Sequence, residues 1–130
     1  MTAGRFTSNS IDLTQIARFT VGLSWIYHGL FPKLLHIAPL EMQMSGSIGL
    51  SEANSVLLIR AAGIGEILFG ILLIVFYRYR PLILLNIAAL SALLLFVVLM
   101  TPAIMIEAFN PVTTNIPLIV LGLLLLKNER

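Results

Sequence analysis

Four ionisable residues stand in apolar stretches that have little use for charge: His28, Lys33, Arg60 and Glu66. At the centre of a membrane helix a lysine or arginine costs roughly 2.5–3.5 kcal/mol on insertion scales, so such residues come with partners or with a task. Together they supply an imidazole, one carboxyl group and two cations. That set can move a proton to or from an oxygen of a small ligand and stabilise negative charge developing there. His28 and Glu66 are the candidate acid–base pair.

The surroundings of each residue sharpen the case. His28 and Lys33 belong to Trp25-Ile26-Tyr27-His28-Gly29-Leu30-Phe31-Pro32-Lys33-Leu34-Leu35. Pro32 has no N–H, so the carbonyl of His28 loses its usual helical partner beside the imidazole. Glu66 has Ala62, Gly63 and Gly70 at helical spacing around it, a small-residue face that lets a second helix approach and turns the carboxylate toward the bundle. Arg60 is about 9 Å up the same helix and about 120° around it, so a partner on the first span is geometrically easier for Glu66 than Arg60. Trp25, Lys33, Arg60 and Asn115 complete the candidate binding set, with Thr113 and Thr114 next to Asn115. Each has a structural alternative: Glu66 as a buried ion pair, Lys33 as a snorkelling anchor, Trp25 and Tyr27 as interfacial belt residues. Asn86 and Ser91 read as interhelical hydrogen-bond glue. Two histidines, His28 and His36, are too few for a metal or bis-histidine haem site, and no metal is expected.

The elements that must hold these residues follow from composition. Hydrophobic residues make up 58% of the 130 positions and charged residues 11%, against about 25% charged in soluble domains, so the chain cannot keep a solvated surface. It is an integral membrane protein whose first partner is the lipid bilayer. A net charge of +2 calls for no nucleic acid. The absence of cysteine removes thiolate, disulfide and iron–sulfur chemistry. Residues 1–12 are polar and lack the apolar core and small-residue cleavage site of a signal peptide; the first span itself is expected to target the chain.

Four apolar helices are expected, at about 13–35, 55–77, 81–100 and 112–126, forming one all-α transmembrane bundle over 1–130. Four crossings put Arg5, Arg18, Arg78, Arg80, Lys127 and Arg130 on one side. Lys33 and Arg60 fall on the other, with Glu41, Glu52 and Glu107. Both termini are therefore expected in the cytoplasm. Pro81 suits the first turn of the third span, Ser51 the N-cap of the second, and 39–44 a short interfacial helix. The fourth span is short. Either residues 110–115 form irregular backbone at membrane depth, against protein or a wet cavity, or the bilayer thins locally. Depth alone collects His28, Lys33, Arg60, Glu66 and Asn115 in the outer half.

Three stretches carry a resemblance: Trp25 to Lys33 with its aromatic–Gly–Pro–Lys pattern, Arg60-x-x-Gly63-x-x-Glu66-x-x-x-Gly70, and Asn110-Pro111 followed by Asn115-Ile116-Pro117. In this order they resemble the DoxX-like family, small four-helix bacterial membrane proteins related to the membrane subunits of thiosulfate:quinone oxidoreductase. The resemblance implies a four-helix bundle in the bacterial cytoplasmic membrane, and redox work with a membrane quinone as the ligand class. It transfers weight to Gly29, Pro32, Lys33, Arg60, Gly63, Glu66 and Asn115. Electrons would then come from a soluble or membrane oxidoreductase partner. A homo-oligomer stays open.

Three functions compete at this point. One is a small-ligand site in the outer half of the bundle, holding a quinone headgroup. Another is a non-catalytic membrane partner or assembly factor, in which the polar cluster only fixes helix register. The third is a proton-coupled small-molecule transporter with Glu66 as carrier, although small four-helix exporters carry their acid on the first helix and show weaker charge bias.

Overall fold

In a computed structural model, residues 12–129 are described. Arg5, Arg130 and most of the polar segment 1–12 lie outside them, as do the expectations placed on those residues. The described part is helical, with no strand among the described residues.

Helix α1 (Leu13–Gly29) starts where the Asp12 side chain accepts a hydrogen bond from the Thr14 amide at 3.0 Å. It does not stop at Gly29. Six further residues, Leu30–Leu35, continue it as a wider π turn, in which the His36 N–H reaches the Phe31 carbonyl at 3.1 Å. Pro32 lies inside this turn and supplies the cause: a missing N–H and a crowding ring break the regular i→i−4 ladder. The helical path matches the expected 13–35, but its last third has a different register.

A short helix α2 (Pro39–Gly46) follows, close to the expected 39–44, and packs against α3 (Glu52–Val75). Ser51 caps α3 by accepting from the Asn54 amide at 3.3 Å, so α3 begins three residues before the expected 55. Residues 76–79 turn the chain into α4 (Arg80–Met100), with Pro81 in its first turn. A 3-10 turn, Pro102–Ile106, leads to α5 (Pro111–Asn128). The Asn110 carboxamide accepts from the Val112 amide at 2.9 Å and donates to the carbonyls of Met105 and Glu107, both at 2.9 Å. This cap, with Pro111 at the first helical position, makes residues 111–115 regular helix. Of the two alternatives for this stretch, irregular backbone is not found over 111–115, where a helix that carries Pro117 in its interior runs instead.

Helix α1 packs on α3 and α5, and α5 packs on α4, whereas α3 and α4 scarcely touch although only a turn separates them. The spatial order is thus α3–α1–α5–α4. Backbones of α1 and α3 come together at two glycine pairs: a methyl group on Gly63 would stand 2.7 Å from the Gly29 carbonyl, and one on Gly70 2.5 Å from that of Gly22. Such small residues permit the close contact that replaces hydrophobic driving force in lipid. Ala17, Ile83 and Leu125 form a buried cluster where α1, α4 and α5 meet.

Outward, the helices are apolar. Leu57, Leu68, Leu85, Leu95, Leu99 and Val120 are all exposed, a surface far beyond the patches a soluble monomer tolerates. Helices α3, α4 and α5 are each long and apolar enough to cross a membrane. The molecule is an all-α membrane protein.

Candidate functional site

The widened end of α1 decides where its polar side chains go. His28 and Lys33 are five residues apart, which in a regular α-helix separates them by about 140°. The π turn over Leu30–Leu35 winds less per residue than an α-helix and so narrows that angle, and both side chains reach the same carboxylate. His28 Nδ1 lies 3.3 Å from Glu66 Oε2, and Lys33 Nζ donates to Glu66 Oε1 at 2.6 Å. Gly29 and Gly63, one turn away on each helix, are what bring the two backbones within reach.

Lys33 is buried, with 8% of its side chain exposed, so its ammonium depends on these contacts. It has a second anion: Glu41 Oε2 of α2 stands 3.6 Å from Nζ. Glu41 was not among the residues singled out from sequence. The available signal was weak, an acid in the first turn of a short interfacial helix, where capping alone explains it.

His28 differs in exposure, with half of its side chain accessible. An ionised carboxylate only accepts hydrogen bonds, so the contact with Glu66 assigns a proton to Nδ1 and leaves Nε2 for another partner. His28 lines a cavity of about 670 Å³ between α1 and α5. Leu23, Leu90, Leu93, Leu118 and Leu121 make its walls, and His28, Glu66, Thr114 and Asn115 supply its polar groups. Leu23 and Tyr27, which also line it, are exposed on the outside of the bundle. An apolar chamber with a few polar groups is the ordinary form of a small-molecule site.

The other expected residues have distinct places. Trp25 lines the cavity with its ring, while its indole N–H donates to Asn86 Oδ1 on α4 at 2.7 Å and Phe69 of α3 packs edge-on against it. Asn115 also lines the cavity, but its amide nitrogen is committed to the Leu90 carbonyl at 3.3 Å and its oxygen accepts from Thr114. Arg60 does not join the cluster. It is exposed and donates to the carbonyl of Leu34 at 3.2 Å, tying the π turn to α3. Asn86 is fully buried glue, as expected; Ser91 is exposed. Among the described residues no group of three or more His, Asp or Glu side chains is placed to hold a metal.

A model of the DoxX-like family matches residues 22–123, a stretch that begins inside α1 and includes every residue of the cluster and the cavity wall from Leu23 to Leu121. The chain belongs to the DoxX-like family. No curated protein and no solved structure matches it. The matched stretch contains Pro32-Lys33 and Gly63-x-x-Glu66, and the chemistry of this DoxX-like protein rests on its own side chains.

Proposed function

We propose that this DoxX-like membrane protein binds the headgroup of a lipophilic carbonyl compound of the quinone class, which enters the α1–α5 cavity from the bilayer. One observation carries this reading: a leucine-lined cavity is also lined by His28 and Glu66, and Nδ1 of that imidazole is held by the carboxylate. A protonated His28 donates from Nε2 to a quinone carbonyl oxygen, and a neutral His28 accepts from a quinol hydroxyl. Glu66 orients the ring and stabilises its charged form, while Lys33 holds Glu66. Electrons come from a partner oxidoreductase. Within this proposal α1 and its π extension, 23 helical residues together, make a fourth crossing beside α3, α4 and α5. Both termini lie in the bacterial cytoplasm, and α2 lies at the outer face.

Trp25 allows a direct test, because it is the only tryptophan in the chain and lines the cavity. A short-chain ubiquinone titrated into detergent-solubilised protein is expected to quench its fluorescence saturably. His28→Ala is expected to remove the saturable component. Absence of saturable quenching in the wild-type protein rejects the reading.

A second reading, a non-catalytic membrane partner whose polar residues fix helix register, has its own support. The Lys33–Glu66, Trp25–Asn86 and Asn115–Leu90 contacts each join two helices. It predicts co-purification with an oxidoreductase without any effect of quinone on Trp25.

A further inference from the structure

The polar contacts do not end at the cavity. From His28 they run through Glu66 and Lys33 to Glu41 on α2: two hydrogen bonds of 3.3 and 2.6 Å, then an ion-pair contact of 3.6 Å. Exposure falls and then recovers slightly along this line, from 51% at the His28 side chain to 15%, 8% and 14% at Glu66, Lys33 and Glu41. Helix α2 belongs to the segment between α1 and α3, outside the helices long enough to span. One end of the chain of groups therefore lines the cavity, and the other lies on a short helix outside the long apolar ones, with 14% of the Glu41 side chain exposed.

Charge gives this arrangement room for a mobile proton. Two carboxylates share one lysine ammonium, Lys33, and a second positive charge is supplied when His28 is protonated. An anchor needs one acid for one base. The second acid lies on the far side of Lys33 from the cavity, on a different helix, and it touches no group that lines the cavity.

We propose that Glu41 is the inlet of a proton path joining the aqueous face that carries α2 to the cavity. This rests on the reading of the cavity as a site for a quinone-class ligand. When that ligand is reduced, its oxygen takes the Nε2 proton of the His28 imidazolium. The half-exposed ring turns over, presents its unprotonated nitrogen to Glu66 and takes a proton there. Lys33 gives one of its three protons to Glu66 and is restored by Glu41, which takes its own from water. One N–H or O–H bond breaks for each that forms, so one proton enters for each proton delivered. Electrons arrive separately, from the partner oxidoreductase.

The test uses the full chain with a short-chain ubiquinone, dithionite as electron donor and stopped-flow detection of quinol formation. Glu41→Ala is expected to leave quinone affinity at its wild-type value, read from Trp25 quenching. It is expected to slow proton-coupled reduction about 100-fold, the low end of what a lost general acid–base group costs. Formate, a small weak acid that carries protons into the gap, is expected to restore the rate; a purely structural defect gives no such rescue. An unslowed Glu41→Ala that still binds quinone overturns the path alone, as does a slow variant that formate leaves slow. Wild-type protein that binds no quinone overturns the path together with the site it serves.

Discussion

Lys33 holds Glu66 at 2.6 Å across the α1–α3 contact, and it does so from a helix end that proline has widened. The same ammonium faces Glu41 at 3.6 Å, so one cation serves two acids carried by different helices. Removing the cation and removing one acid are then unequal injuries. Lys33→Met leaves two part-buried carboxylates facing each other, and breaking a buried pair from one side costs about 3–5 kcal/mol. Glu66→Gln leaves Lys33 paired with Glu41 and is expected to cost clearly less. The Lys33→Met/Glu66→Gln double variant should recover part of the Lys33→Met loss. Thermal melting in detergent checks the order, and a Glu66→Gln variant as unstable as Lys33→Met contradicts it.

The α1–α3 contact itself can be probed at two glycines on one helix. A methyl group on Gly63 would meet the Gly29 carbonyl at 2.7 Å, which is backbone and cannot yield without moving a helix. Gly63→Ala is therefore expected to destabilise by about 1–3 kcal/mol, the usual range for overpacking. Gly65 has nothing within 4 Å of such a methyl group. Gly65→Ala should be neutral or stabilising by up to about 1 kcal/mol, the gain in helix propensity. Melting curves for the pair decide whether close approach, and not glycine content, matters at Gly63.

Much of this was legible in sequence because it depends on local chemistry. Ser51 caps α3, Pro81 lies in the first turn of α4, and the small residues around Glu66 mark the face that meets α1. The spatial order of the helices was not legible. Helices that are apolar on every side carry no stripe to say which neighbour they face, and lipid is as apolar as any partner. Arg60 was for this reason grouped with Glu66 by depth alone, whereas it bonds the Leu34 carbonyl. Glu41 was passed over because its partner lies on another helix, at an azimuth set by the π turn.

Trp25 offers a readout of the α1–α4 contact that is separate from ligand binding. Its N–H bond to Asn86 Oδ1 joins two helices, and such bonds in membrane proteins average about 0.6 kcal/mol. Asn86→Leu should therefore lower stability only slightly. It should shift the tryptophan emission to shorter wavelength, because the indole N–H loses its polar partner. An unchanged emission maximum counts against the bond.

Pro32 is the point at which sequence, local structure and site meet. Its missing N–H accompanies the π turn over Leu30–Leu35, and that turn swings Lys33 onto the face it shares with His28. Pro32→Ala restores the donor and removes the ring clash, so the isolated helix should gain stability from it. The site should lose by it. With a regular α register over 30–35, Lys33 turns through much of the about 140° that separates residues five apart, away from Glu66. The expected result is a helix end whose amides exchange more slowly, together with lower overall thermal stability and weaker quenching of Trp25 by quinone. Slower exchange with undiminished quenching would mean that the π turn does not set the site's geometry. Combining Pro32→Ala with Lys33→Met separates the two effects: if proline acts through Lys33, adding the second change lowers stability little further.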